Sequence, residues 1–147
     1  MATGGDEVRV DVVGVSEQRE GIGDEQEAPP VLVLRDEGER ELHVPIGSCE
    51  GLAILLALQQ QVAPRPLTHD LGIRILEKME ASVERAVIDG LTDDVYHATL
   101  YLSAQEGAIS LPVRPGDAVA LALRAEVPVF VTESVFARAG RNGDTFQ

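Results

Sequence analysis

The sequence predicts an α+β domain: a mixed or antiparallel sheet carrying buried apolar helices, built by internal duplication of a hairpin-plus-helix unit. Three observations support this. Alternating apolar runs flank the turns Asp36-Glu37-Gly38 and Gln105-Glu106-Gly107, which is the pattern of two hairpins. Each hairpin leads into a stretch with apolar residues on almost every side of a helix, and such a helix must be buried. The stretch VPIGSCEGLAILLA (44–57) also aligns with LPVRPGDAVALALR (111–124) at an offset of 67. Pro45 meets Pro112, Glu50 meets Asp117, Ala53 meets Ala120 and Leu56 meets Leu123. Two unrelated buried helices share a limited alphabet. The matched proline, acid and preceding hairpin make duplication the better explanation.

The elements follow in chain order. Val8, Val10 and Val12, with Val13 and Val15, give a strand whose alternation slips near its end. Residues 16–30 are acidic, carry glycine and end in two prolines, so they predict a mobile loop. Residues 31–34 and 41–46 form the first hairpin. A helix is expected over 48–61 and a second over 68–80, with Leu71, Ile75, Leu76 and Met79 on its core face. A strand over 83–89 precedes the hairpin of 96–102 and 108–113. A third helix covers 116–125, a short strand 128–131 and a terminal helix 133–139. The domain is expected to span 1–140, leaving 141–147 as a loose tail. Leu56 and Leu123 are expected deep in the core.

Composition narrows the function classes. With 44% hydrophobic residues the chain is not of disordered composition, and with 3% aromatics its core rests on Val, Leu, Ile and Ala. The net charge is −13 and is uneven: residues 1–43 hold 12 acids against 4 bases. Such a surface repels phosphate backbones at long range, so a nucleic-acid partner needs a local basic pocket or a bound cation. Of the basic residues, 11 are Arg and one is Lys78. A single cysteine, Cys49, fits a reducing compartment, and no basic-then-apolar leader opens the chain. The longest apolar run, 51–58, is too short to span a bilayer. A cytoplasmic protein without membrane partners is the expectation.

The stretch RPLTHDL (65–71) poses the functional question. Thr68 suits a helix N-cap, Asp70 suits the positive end of the helix dipole, and Pro66 stiffens the approach. Helix grammar leaves Arg65 and His69 without a task. Histidine carries protons or binds metal near neutral pH, although an isolated one is more often only structural. The second Arg-Pro, Arg114-Pro115, again precedes a helix start with a carboxylate, Asp117, and Gly116 is an acceptable cap. Two helix N-termini with arginines beside them can form an anion pocket. The plainer alternative is two internal Arg–carboxylate pairs. Asp89, Asp93 and Asp94 surround a turn that Gly90 favours; they read as its polar residues rather than as a cation site. Cys49 has no base paired with it in the sequence and reads as structural.

The motifs RPLTHDL (65–71), VERAVIDGL (83–91), YHATLYL (96–102) and VRPGDAVALALRAEVPVFV (113–131), in that order, resemble the bifunctional nuclease domain family. The likeness runs from about residue 8 to residue 140. It implies an α+β domain that self-associates, a dimer being favoured, and that cleaves DNA and RNA. Gly116 stands where the family has a serine, Pro112-Val113 where it has an acid, and no tryptophan marks the first helix. On this reading Asp70, Asp117 and Glu50 hold a divalent metal such as Mg2+ or Mn2+. His69 acts as base or ligand beside Asp70 and Asp117, and Arg65, Arg114 and Arg124 meet the phosphate. The alternative is a non-catalytic, homo-oligomeric regulatory or anion-binding module that uses the same Arg–Asp pairs as struts.

Overall fold

A computed structural model describes residues 6–16, 29–61 and 65–142. Strands β1 (Glu7–Ser16), β2 (Val31–Asp36) and β3 (Arg40–Pro45) are followed by helices α1 (Ser48–Leu58) and α2 (Thr68–Lys78). Strands β4 (Ser82–Thr92), β5 (Val95–Ala104) and β6 (Gly107–Val113) are followed by helix α3 (Pro115–Ala125). The chain then forms β7 (Val129–Thr132), α4 (Glu133–Ala139) and β8 (Arg141–Asn142). All eight strands make one sheet in the order β6-β5-β4-β7-β1-β2-β3-β8. Among the described residues only the β4–β7 pair is parallel. The α+β class and the mixed sheet are as the sequence implies.

The arrangement matches the repeat. Each half supplies an antiparallel meander, β1-β2-β3 or β4-β5-β6, and a helix follows each meander. Strand β7 joins the halves, pairing antiparallel with β1 and parallel with β4. The two halves therefore run in opposite directions on either side of it. The offset of 67 also holds at the helix starts: Gly47 caps α1 and Arg114 caps α3, so Glu50 and Asp117 both stand at the third helical position.

Pleating puts Leu32 and Leu34 of β2, Leu42 and Val44 of β3, and Ala98, Leu100 and Leu102 of β5 on one face. Ile54, Val119 and Ala120 join them in one core cluster. Burial is thinner on the outer side of the helices than their composition implies. Leu52 is 55% exposed, and Leu56 and Leu123 are half-buried rather than deep in the core. The core lies against one side of α1, whose far side meets solvent, whereas α3 packs between α1, α2 and the sheet and none of its residues is exposed. Of the expected core face of α2 only Leu76 meets the core. Leu71, Ile75 and Met79 point outward, Met79 at 71% exposure, while Ile73 and Leu76 pack on the core. Periodicity locates a stripe but not which neighbour it meets.

Smaller differences have local causes. Helix α1 ends at Leu58 and α2 at Lys78, where Gln60 and Glu80 take left-handed backbone angles that stop each helix. Strand β4 runs on to Thr92 because the hairpin turn is Asp93-Asp94, both left-handed (φ 51° and 66°), and not the region of Gly90. Gly90 instead sits at an irregularity of β4 opposite His97. The expected tail is not wholly loose, since Arg141 and Asn142 pair with β3. Residues 17–28 of the acidic loop and residues 143–147 lie outside the described residues.

Candidate functional site

Helices α1, α2 and α3 begin with the same device: an acid at the third position folds back on the residue before the helix. Glu50 Oε1 accepts the Gly47 N–H at 2.6 Å, and Asp70 Oδ2 accepts the Leu67 N–H at 2.9 Å. Asp117 Oδ2 instead accepts the Arg114 side chain, whose Nε lies 2.9 Å away. In each case a negative group satisfies or faces the positive end of the helix. The expected caps are thereby corrected. Leu67, not Thr68, precedes α2, and Arg114, not Gly116, precedes α3, with Pro115 at the first turn. Proline is preorganised for that position and has no N–H to leave unbonded there.

The chain brings these starts together. His69 Nε2 lies 2.9 Å from Asp117 Oδ1 although 48 residues separate them. Arg114 Nη2 reaches Glu50 Oε2 at 3.1 Å while its Nε holds Asp117, so one guanidinium joins the acids of α1 and α3. On the other side, Arg124 Nε donates to Asp70 Oδ1 at 2.6 Å, and its Nη1 donates to the Ala53 carbonyl at 3.0 Å. The two Arg-Pro motifs thus meet through side chains of α2 and α3. Close backbone approach makes this possible: a Cβ on Gly116 would stand 2.8 Å from the Glu50 Cβ.

Electrostatics follow from these contacts. Burial opposes ionisation of Asp117, but hydrogen bonds from His69 and Arg114 outweigh it and hold the carboxyl below its ordinary range. For Asp70 the same opposition from burial is outweighed by the Leu67 N–H, Arg124 and the charge of Arg74. Hydrogen bonding to Asp117 raises the Arg114 pKa. Asp117 is held as the anion, so it accepts a hydrogen bond from the Nε2–H of His69; in the tautomer that carries this proton, the ring lone pair lies on Nδ1.

The predicted site residues divide into groups. His69, Asp117, Arg114 and Glu50 form one connected network; Asp70 and Arg124 form a second link between α2 and α3. The Arg114 side chain is 73% exposed and that of Arg124 only 12%. Arg65 is exposed and joins neither network. The metal expectation meets a different arrangement. Glu50, Asp70 and Asp117 are each engaged by an arginine, and no three His, Cys, Asp or Glu side chains among the described residues converge as a metal-binding group. As arranged here, these carboxylates do not fit a shared cation. Asp89 also stands apart from Asp93 and Asp94, accepting the Thr99 hydroxyl at 2.7 Å. Cys49 is exposed rather than buried as a structural cysteine would be.

Sequence reasoning missed the cleft beside Arg114. Its volume is about 330 Å³, and Gly47, Glu50, Arg114, Pro115 and Gly116 line one side, with Asp94, Val95 and Tyr96 also lining it. Tyr96 is half-buried, and burial raises its phenol pKa. The pairing of Ala98 with Val113 sets Tyr96 beside the start of α3, and the packing of α1 on α3 adds the start of α1, which no local signal gives.

Comparison with known proteins bears on the family. A model of the bifunctional nuclease domain matches residues 32–143. An uncharacterized protein of Mycobacterium tuberculosis is 40% identical over 76% of this chain and 66% of its own length. Bifunctional nuclease 1 of Oryza sativa subsp. japonica is 32% identical over 71% of this chain and 33% of its own length. Bifunctional nuclease 1 of Arabidopsis thaliana is 28% identical over 71% and 34%. The chain therefore spans slightly less than two thirds of the mycobacterial relative and about a third of the plant ones. With the family model matching most of its length, including all three helix starts of the candidate site, the chain belongs to the bifunctional nuclease domain family.

Proposed function

We propose that the chain is a nuclease that hydrolyses phosphodiester bonds of DNA and RNA at the meeting point of the α1, α2 and α3 N-termini. The observation that carries this reading is the 2.9 Å contact between His69 Nε2 and Asp117, with Arg114 on the second carboxylate oxygen. A carboxylate on one nitrogen fixes the imidazole tautomer and leaves the other nitrogen as a base. His69 Nδ1 takes a proton from water, the hydroxide oxygen bonds to phosphorus, and the bond to the leaving oxygen breaks, that oxygen keeping the electron pair and taking a proton from solvent. Arg114, largely exposed and lining the cleft, meets the phosphate oxygens. The names of the plant relatives support the substrate class.

The test is cleavage of single-stranded DNA and RNA by the parent, His69→Ala and Asp117→Asn, each with Mg2+, Mn2+ or a chelator. Loss of cleavage in both folded variants supports the reading. Unchanged cleavage places the activity elsewhere, and dependence on Mg2+ or Mn2+ would require the carboxylates to rearrange.

A second reading is a non-catalytic, anion-binding module. The internal pairing of Arg114 and Arg124 with Glu50, Asp70 and Asp117 favours it, as does the net charge of −13. In either reading we propose a homo-oligomer, with the exposed stripe Leu71, Ile75 and Met79 as its contact. No helix among the described residues is long and apolar enough to cross a membrane.

A further inference from the structure

We infer that Arg124 is a positioning residue that sets the rotation of α2 and thereby holds His69 on Asp117. The inference rests on the proposed roles of His69 and Asp117, and it gives Arg124 no contact with substrate.

The geometry is a two-point clamp. The first turn of α2 is bonded to α3 at two places. His69 reaches Asp117 near the start of α3, and Asp70 reaches Arg124 near its end. Seven residues of helix separate those two anchors, about 10 Å along the axis. Between them the helices touch closely: a Cβ on Gly72 would stand 3.3 Å from Leu121 Cδ2. Neighbouring residues of a helix point about 100° apart, so His69 and Asp70 leave α2 in different directions. One bond alone lets the helix turn about that bond, and two in different directions do not.

Arg124 is itself fixed. Its side chain is 12% exposed, and Nη1 donates to the Ala53 carbonyl of α1 at 3.0 Å and toward the Ala120 carbonyl at 3.4 Å. The guanidinium thus ties α2 to both other helices of the site. Arginine suits this because its rigid fork presents several donors in fixed directions, whereas lysine presents a single point charge. A phosphate-binding arginine needs donors facing the ligand. Here Nε and Nη1 are taken up between helices. Arg114 contrasts with it, being 73% exposed and lining the cleft.

The test measures the His69 tautomer by nitrogen-detected NMR of the three histidines, with cleavage kinetics as an independent readout. In the parent, the His69 signal is expected to show a proton fixed on Nε2. Arg124→Gln removes the clamp. The expected result is a mixed or exchanging His69 tautomer, with kcat down about 10- to 100-fold, as when an outer partner of a functional group is lost, and KM within about threefold. Arg124→Lys keeps the charge and one bond and should restore part of the tautomer signal. If Arg124→Gln does not fold, Arg124→Lys and Asp70→Asn carry the same comparison. Asp70→Asn should loosen His69 as well.

An unchanged His69 tautomer in folded Arg124→Gln overturns the inference. So does a loss expressed in KM alone with the tautomer intact, which would make Arg124 a phosphate ligand. If the parent cleaves nothing, the nuclease reading fails while the tautomer comparison still decides the role of Arg124.

Discussion

Gly116→Ala should destabilise the protein, while Gly51→Ala, the same change on the helix packed against it, should not. An ideal Cβ on Gly116 would lie 2.8 Å from Glu50 Cβ, 3.1 Å from its Cγ and 3.2 Å from its Oε1. Both carbons at the shortest contact are fixed to backbone, so no side-chain rotation relieves it and α1 must move away from α3. Inserting a methyl into a packed contact costs about 1–3 kcal/mol. Alanine returns up to about 1 kcal/mol through helix propensity, and less in a first turn. The net loss is about 1–2 kcal/mol, which for a chain of this size lowers Tm by about 3–6 °C. On Gly51 the nearest atom to an added Cβ is Pro30 Cγ at 3.4 Å, an ordinary contact. There the propensity gain dominates and Tm should hold or rise by a degree or two. Differential scanning calorimetry of the two variants beside the parent decides it. A Gly116→Ala protein that melts at or above the parent temperature would refute the claim that this glycine sets the α1–α3 distance. The distance matters for function because the 3.1 Å Arg114–Glu50 contact spans the same gap.

Acid sensitivity should follow from Asp70 and Asp117. Both carboxyls are held below their ordinary range when folded, so their contribution is present above the unfolded carboxyl value near pH 4 and is lost as pH falls through the folded values. Urea midpoints measured from pH 6 downward should fall less steeply in Asp70→Asn/Asp117→Asn than in the parent, and parallel curves would contradict this. Ile54→Ala, at a fully buried position of α1, should cost about 2–5 kcal/mol, whereas Leu52→Ala, two residues away at 55% exposure, should stay within about 0.5 kcal/mol. Chemical denaturation separates the two, and equal losses would show that the outer side of α1 is covered in solution. Ile75→Glu/Met79→Glu should reduce the mass seen by light scattering without lowering Tm, and an unchanged mass would remove this stripe as the contact between copies.

Much of the fold is legible in local sequence, because hairpins and helix starts are local events. The turns at 36–38 and 105–107 and the acids that mark α1, α2 and α3 all stand where short-range grammar puts them. The repeat adds more: the offset of 67 carries Gly47 onto Arg114 and Glu50 onto Asp117, and both pairs occupy equivalent helix positions. What is illegible depends on separation along the chain. Arg124 and Asp70 are 54 residues apart, and no local rule distinguishes that partner from a ligand. The outward turn of Leu71, Ile75 and Met79 fails for a related reason, since their spacing fits a core face equally well. The packing of α1 on α3 is a third case, and it brings Gly47 and Glu50 to the cleft that Tyr96 and Asp94 line.

The acidic composition and a phosphodiester substrate are reconciled, on the proposed reading, at the level of local charge. Three carboxylates, Glu50, Asp70 and Asp117, face two guanidinium groups, Arg114 and Arg124. Each helix start adds about half a positive charge, so the cluster is close to neutral despite the net charge of −13. A neutral cluster does not draw a phosphate from a distance, and a substrate gains little until an arginine exchanges a carboxylate for a phosphate oxygen. Arg124 is enclosed by two helices and makes that exchange only by breaking the frame. Arg114 stands at the surface, and releasing Glu50 costs it one 3.1 Å contact while its Nε remains on Asp117. Binding on this route leaves the His69–Asp117 pair intact. Arg114→Lys, which keeps the charge but not the fork, should therefore raise KM far more than it lowers kcat. An equal fall in kcat with KM unchanged would instead assign Arg114 to the transition state alone.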